Sequence, residues 1–284
     1  MPELNLPAIL HTATFLVGSV AIVFGGKLAR DALATRRGHR IGELITVHDN
    51  PAVALEQSAF LLASVIGLLG ALVISGETLL QQGIELALTG VVVIAALLGN
   101  DWLTAKLICR GFDNHKAVNE DHNVAVACVR GASALATGFV LRGALGHDSS
   151  LLDRVLWVLV GQVALVTISL LYQRLTPYDD IAEIKSKNLA AALPMAGVLL
   201  AVGLTVEATL HGEGAGWAAD LLSVSLDLLL AVVLLQVLRV VTDLFLLPGT
   251  TLHKEIAEDR NTGAGLMEFT SLLLGALLLA YYLN

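Results

Sequence analysis

The sequence predicts an all-α, polytopic membrane helical bundle of about eight transmembrane helices, built as two parallel four-helix repeats. Three observations carry the prediction: the chain is too apolar for water, its apolar runs match the thickness of a bilayer, and its polar words recur at a fixed period. Of 284 residues, 56% are hydrophobic and 15% charged, and the mean hydropathy is +0.76, far from the composition of a soluble domain. Lipid offers a backbone no hydrogen bonds, so a span must be a helix of roughly 20 residues or a strand of a closed barrel. Barrel strands would read as alternating segments of about ten residues. The runs here are long, continuous and rich in Leu, Ala, Val and Gly.

Taken in order, the predicted spans are residues 8–28, 53–75, 84–107, 124–145, 154–174, 189–209, 219–246 and 262–283. The first follows Met1-Pro2-Glu3-Leu4-Asn5, which lacks the positive leader of a cleaved signal peptide, and so reads as a retained helix. Insertion holds basic residues on the cytoplasmic side. Fourteen of the 17 Lys and Arg residues fall in or beside alternate loops: Lys27, Arg30, Arg36, Arg37 and Arg40; Lys106, Arg110 and Lys116; Arg174, Lys185 and Lys187; Arg239, Lys254 and Arg260. The loops between, around 75–82, 146–150 and 210–216, have none. Both termini are therefore expected outside the cytoplasm.

Four even-numbered helices open on the same words: Asn50-Pro51-Ala52-Val53-Ala54, Asn123-Val124-Ala125-Val126-Ala127, Asn188-Leu189-Ala190-Ala191-Ala192 and Asn261-Thr262-Gly263-Ala264-Gly265. From Asn50 to Asn188 is 138 residues, and from Asn123 to Asn261 again 138. At that offset Lys116, Glu120 and Asp121 meet Lys254, Glu258 and Asp259. The reading is a tandem duplication, residues 1–146 and 147–284, whose even helix count inserts both copies the same way up. The motif also recurs inside each copy, at spacings of 73, 65 and 73. That weaker repeat permits a pseudo-fourfold bundle with the even helices innermost.

An Asn at a helix start caps free N–H groups, and Pro51 suits the first helical position. The small residues that follow, continued by Ala59, Ala63, Gly67 and Ala71, suit close helix packing, with solute contact as the alternative. Ionisable groups within the spans are the sharper clue, since a charge near the bilayer centre costs about 2.5 kcal/mol or more. Glu56, Arg130 and Glu268 each lie six or seven residues past a motif Asn. At that common depth a bridge from Arg130 to Glu268 or to Glu56 is expected, either as a structural ion pair or as part of a permeation route. Asp220 and Asp227, seven apart on one face, suggest a cation ladder. Glu77, Glu85, Asp148, Asp153, Glu207 and Glu213 would form an acidic rim, or simply reflect loops depleted in Lys and Arg. Asn100-Asp101 either lines a pore or marks the approach to the interface.

The composition and motifs also exclude functions. A formal charge of −8 without a basic-aromatic patch argues against nucleic acid. Cys109 and Cys128 offer neither a disulfide nor a metal site, and His39, His48, His115, His122 and His253 lack ligand spacing. No catalytic motif is present, so no enzyme, cofactor or metal is expected.

The segments Glu43-Leu44-Ile45-Thr46-Val47-His48-Asp49-Asn50 and Ile184-Lys185-Ser186-Lys187-Asn188, each leading into its small-residue helix, resemble the YjfL-like bacterial inner-membrane proteins, the family of domain of unknown function 350. The resemblance covers nearly the whole chain as two copies. Gly263 and Gly265 depart from the Ala of the other motifs but keep their small size. The resemblance implies a bacterial plasma-membrane location and a link to polyamine or envelope-stress systems, and it supplies no substrate. Two classes of function follow: a channel or transporter for a small cation, polyamine or other solute, and a non-transporting scaffold that docks cytoplasmic proteins. Association into a homo-oligomer is compatible with either.

Overall fold

The computed structural model describes residues 6–71, 78–147, 149–210, 215–246 and 249–283. Within them the long helices are α1 (Leu6–Arg36), α3 (Pro51–Ala71), α4 (Leu79–Leu103), α6 (Val124–Gly146), α7 (Leu151–Leu175), α9 (Leu189–Leu210), α10 (Trp217–Val241) and α11 (Thr262–Leu283). Short helices α2 (Ile41–Thr46), α5 (Asn114–Asn119) and α8 (Asp180–Lys185) occupy the basic loops. A π-helical turn extends α4 over Thr104–Ile108, another extends α10 over Thr242–Leu246, and a third spans Lys254–Glu258. Eight helices are long and apolar enough to cross a membrane, so the protein is an all-α, multi-pass membrane bundle. Its lipid-facing character is plain in side chains such as Val91, Leu152 and Phe245, which are 65%, 68% and 75% exposed.

Each motif Asn closes one repeated device. The residue before it, Asp49, His122, Lys187 or Arg260, takes a left-handed backbone with φ between 47° and 67°. The Asn oxygen then accepts N–H bonds of the new helix: Ala52 and Val53 on Asn50, Val126 on Asn123, Ala190 on Asn188, Gly263 and Ala264 on Asn261. The amide of each of the first three reaches onward to a carbonyl of the next basic loop. Asn50 donates to Val118 and Asn119, Asn123 to Ile184 and Lys185, and Asn188 to Ile256. Asn188 also donates back into its own loop, to Glu183 at 2.9 Å, and Asn261 turns back to Glu255 at 2.8 Å.

These staples align a row of helices, α3 on α6, α6 on α9 and α9 on α11, with α4, α7 and α10 packed alongside and α1 on α3 and α4. The seams repeat in register. Gly138 lies against the Ala63 backbone and Gly203 against that of Ala136; Gly70 lies against Arg142 and Gly143 against Glu207. Within the row α6 and α9 are buried over most of their length.

Two expectations are corrected here. The row is open, so the pseudo-fourfold arrangement is not formed. Its ends carry bulk where its seams need small residues: Leu274 and Tyr281 occupy the register positions of Ala63 and Gly70, and are 51% and 76% exposed, while Val65 occupies that of Gly138. Backbones cannot approach across such side chains. Secondly, the first helix does not stop near residue 28 but continues to Arg36, because Arg30 finds buried partners instead of water.

Candidate functional site

The expected bridge of Arg130 is made to Glu56 and not to Glu268. Arg130 on α6 is 2% exposed, and its Nε donates to Glu56 Oε1 while its Nη2 donates to Asp101 Oδ1 at 3.1 Å. Arg30 of α1 completes the group, with Nη2 to Glu56 Oε2 at 2.7 Å and Nε to Asp101 Oδ2 at 3.7 Å. It also donates to Gln57 Oε1 at 3.1 Å and lies 5.1 Å from the Phe60 ring centre. Two cations and two anions from four helices thus neutralise one another. Behind them Asn100, Thr104 and Ser133 form a buried hydrogen-bonded trio, with Thr104 and Ser133 hydroxyls 2.8 Å apart.

Glu268 cannot reach Arg130 because α9 stands between α6 and α11. Its partner is Arg239 of α10, at 3.4 Å, and Arg239 also lies 5.8 Å from the Tyr172 ring centre. At the 138-residue offset Asp101 corresponds to Arg239 and Arg130 to Glu268. The second pair therefore occupies the positions of the first with the charges exchanged. The other two members have no counterpart, since Arg30 and Glu56 correspond to Ile168 and Pro194. The reciprocal exchange is the signal the sequence offers for Asp101 and Arg239; Arg30, without a counterpart, has none at this offset.

Asp227 belongs to neither cluster. It accepts a 2.9 Å hydrogen bond from Thr209 on the other side of the bundle's mid-plane, while Asp220 accepts from the Ala215 and Gly216 N–H groups and sits 3.7 Å from His147. The two aspartates are thus held locally and do not lead to Glu56 or Glu268. Of the acidic rim, Glu207 pairs with Arg142 at 2.9 Å and Asp153 accepts from Trp217 at 2.9 Å. Glu77, Asp148 and Glu213 lie outside the described residues.

On the basic side of the four-charge network a polar basin of about 510 Å³ opens between α1 and α4. Arg30, Glu56 and Asp101 form its floor, and Arg37, Lys106 and His115 stand on its walls. His115 is half-buried, and burial together with Arg130 and Arg37 lowers its imidazole to about 4. It is accordingly neutral, and Arg37 Nη1 touches its Nε2. Asp113 is held below the usual carboxylate range chiefly by the Lys116 N–H, as the N-cap of α5. Among the described residues no group of three His, Cys, Asp or Glu side chains is placed to hold a metal ion.

The corresponding loop of the second half has a buried carboxyl, Asp180, which is 2% exposed and hydrogen-bonded to Thr176. Burial pushes it up to about 7 from an ordinary 3.8; Thr176 and Arg239 oppose the shift and Glu268 adds to it. Between these values the folded protein keeps a proton that the unfolded chain has released, so stability falls as pH rises through the window and levels off above it. Asp180→Asn is expected to flatten the fall in melting temperature between about pH 4 and 7 and to raise stability at pH 8. Parallel profiles for variant and wild type would refute this.

No curated protein and no solved structure matches the chain. A family model described as Domain of Unknown Function (DUF350) matches residues 4–145 and 146–283, with a further match over 81–170. Together these cover nearly the whole sequence in overlapping copies, and the protein belongs to the DUF350 family.

Proposed function

We propose that the protein is a non-transporting, non-catalytic membrane scaffold that offers the basin at its basic end to a partner. One observation supports this over a conduit: the basin ends on a self-neutralised network. Beyond its floor the row is closed by seams in which a Cβ on Gly138 would lie 2.8 Å from the Ala63 carbonyl oxygen, and one on Gly203 2.7 Å from Ala136 Cα. A route for ions past these contacts requires helices to separate. The acids that suggested a cation path are each spent elsewhere, Glu268 on Arg239 and Asp227 on Thr209. The positive-inside rule places the basic end, and with it the basin, in the cytoplasm of a bacterial cell, with both termini outside. Cytoplasmic proteins would then dock against the basic loops that α2, α5 and α8 shape.

Reconstituted liposomes test the choice. Fluxes of potassium, protons and putrescine are expected to equal those of empty liposomes. A flux that Asp227→Asn or Glu268→Gln abolishes would establish the conduit and end the scaffold reading.

A further inference from the structure

We infer that the basin is a binding site for a phosphate ester carrying an apolar tail, the chemistry of an anionic phospholipid; the inference deepens the scaffold reading and rests on it. The cavity holds about 510 Å³, room for a headgroup. Its wall is divided by chemistry. One face of α1 supplies Arg30, Leu33 and Ala34, with Arg37 in the turn that follows, and one face of α4 with its π turn supplies Leu98, Asp101, Trp102 and Lys106. The apolar members Leu33 and Trp102 are 41% and 62% exposed on the outside of the bundle, so the basin communicates sideways with the lipid. Trp is the residue that lodges at headgroup depth.

The sign of the ligand follows from which charges are already used. Glu56 and Asp101 are consumed by Arg30 and Arg130. Asp113 keeps its charge, but its carboxylate oxygen is engaged by the N–H groups of His115 and Lys116 at the start of α5. Arg37 touches a neutral imidazole, and Lys106 has no ion pair among the described residues. His39 lies 3.4 Å from Glu120 at the rim. Arg37, in the turn just past α1, and Lys106, on the π turn that extends α4, are therefore left without a carboxylate ion pair, two positive charges at the basin against the one negative charge of Asp113. Burial and the nearby guanidiniums keep His115 from becoming an imidazolium, and a polyamine would meet the repulsion of Arg37 and Lys106. A phosphate diester accepts from a guanidinium in a fork and from an ammonium as a point charge, while an acyl chain would continue past Leu33 and Trp102 into the bilayer.

The test uses the full chain purified in a neutral detergent, with phosphatidylglycerol, phosphatidylcholine of the same chains, and glycerol phosphate as probes. Binding is read by native mass spectrometry and by the shift in melting temperature. Phosphatidylglycerol is expected to bind and stabilise, phosphatidylcholine to do neither, and Arg37→Gln combined with Lys106→Gln to weaken the anionic lipid by about tenfold or more. Arg36→Gln, which lies outside the basin, should leave binding unchanged. If glycerol phosphate binds as tightly and with the same dependence on Arg37 and Lys106, the phosphate chemistry stands and its source is a soluble ester. Equal binding of the two lipids, or an unaltered affinity in the double variant, overturns the inference. Neither result bears on ion flux, so a failed scaffold reading and a failed binding site remain distinguishable.

Discussion

Replacing Arg130 by Met is expected to destabilise the protein by about 3–5 kcal/mol, because it removes one partner of a buried ion network and leaves the rest in place. Arg130 is 2% exposed and serves Glu56 and Asp101 together. Without it two carboxylates face Arg30 alone, and the deficit is one full charge. The loss should be read by unfolding in mixed detergent micelles, with double variants to locate it. Arg130→Met with Glu56→Gln is expected to cost less than the sum of its parts, since the second change removes a charge that the first has stranded. Arg130→Met with Glu268→Gln should be additive, the two lying in separate clusters. Coupling to Glu268 and none to Glu56 would contradict the geometry. Glu268→Gln by itself should cost less than Arg130→Met, for Glu268 pairs with Arg239 alone whereas Arg130 serves two carboxylates.

That contrast shows what the sequence discloses. The eight spans are legible because lipid imposes a length and a composition on every helix, and apart from the far end of the first the structure finds them within several residues of the expected places. The Asn caps are legible because capping is local, acting between Asn50 and residues two or three positions on. The onward reach of the same amide, from Asn50 to Val118 and Asn119, depends on which loop stands beside it, and no local rule names that loop. Partner choice among buried charges is hidden for the same reason. Arg130, Glu56 and Glu268 share a depth in sequence, but only the order of the row decides that Arg130 meets Glu56. Arg30 falls outside the expected first span, 8–28, because a hydropathy window ends a helix where charges begin, whereas Asp101 falls inside the expected third, 84–107. In the structure α1 runs on through Arg30, which meets Glu56 and Asp101 inside the bundle.

The open row is governed by the size of a few side chains, and glycine substitutions should resolve this by sign. In a membrane helix free of neighbours, Gly→Ala is neutral or gains up to about 1 kcal/mol through helix propensity. Gly99 on α4 meets that condition, since a Cβ there has nothing within 4 Å. At Gly203 a Cβ would lie 2.7 Å from both the Cα and the carbonyl oxygen of Ala136, and at Gly143 2.7 Å from Glu207 Cα. These neighbours are backbone, so no rotamer change relieves the overlap; the helices must move apart and lose contact along the α6–α9 seam. Gly203→Ala is expected to cost about 1–3 kcal/mol and Gly203→Val about 3 kcal/mol or more, against no loss for Gly99→Ala. Because α6 also carries Arg130, prying it from α9 should loosen the ion network as well, so Gly203→Ala and Arg130→Met should lose less together than separately. If Gly203→Ala and Gly99→Ala proved alike in sign and size, close backbone contact would not be what holds the row together.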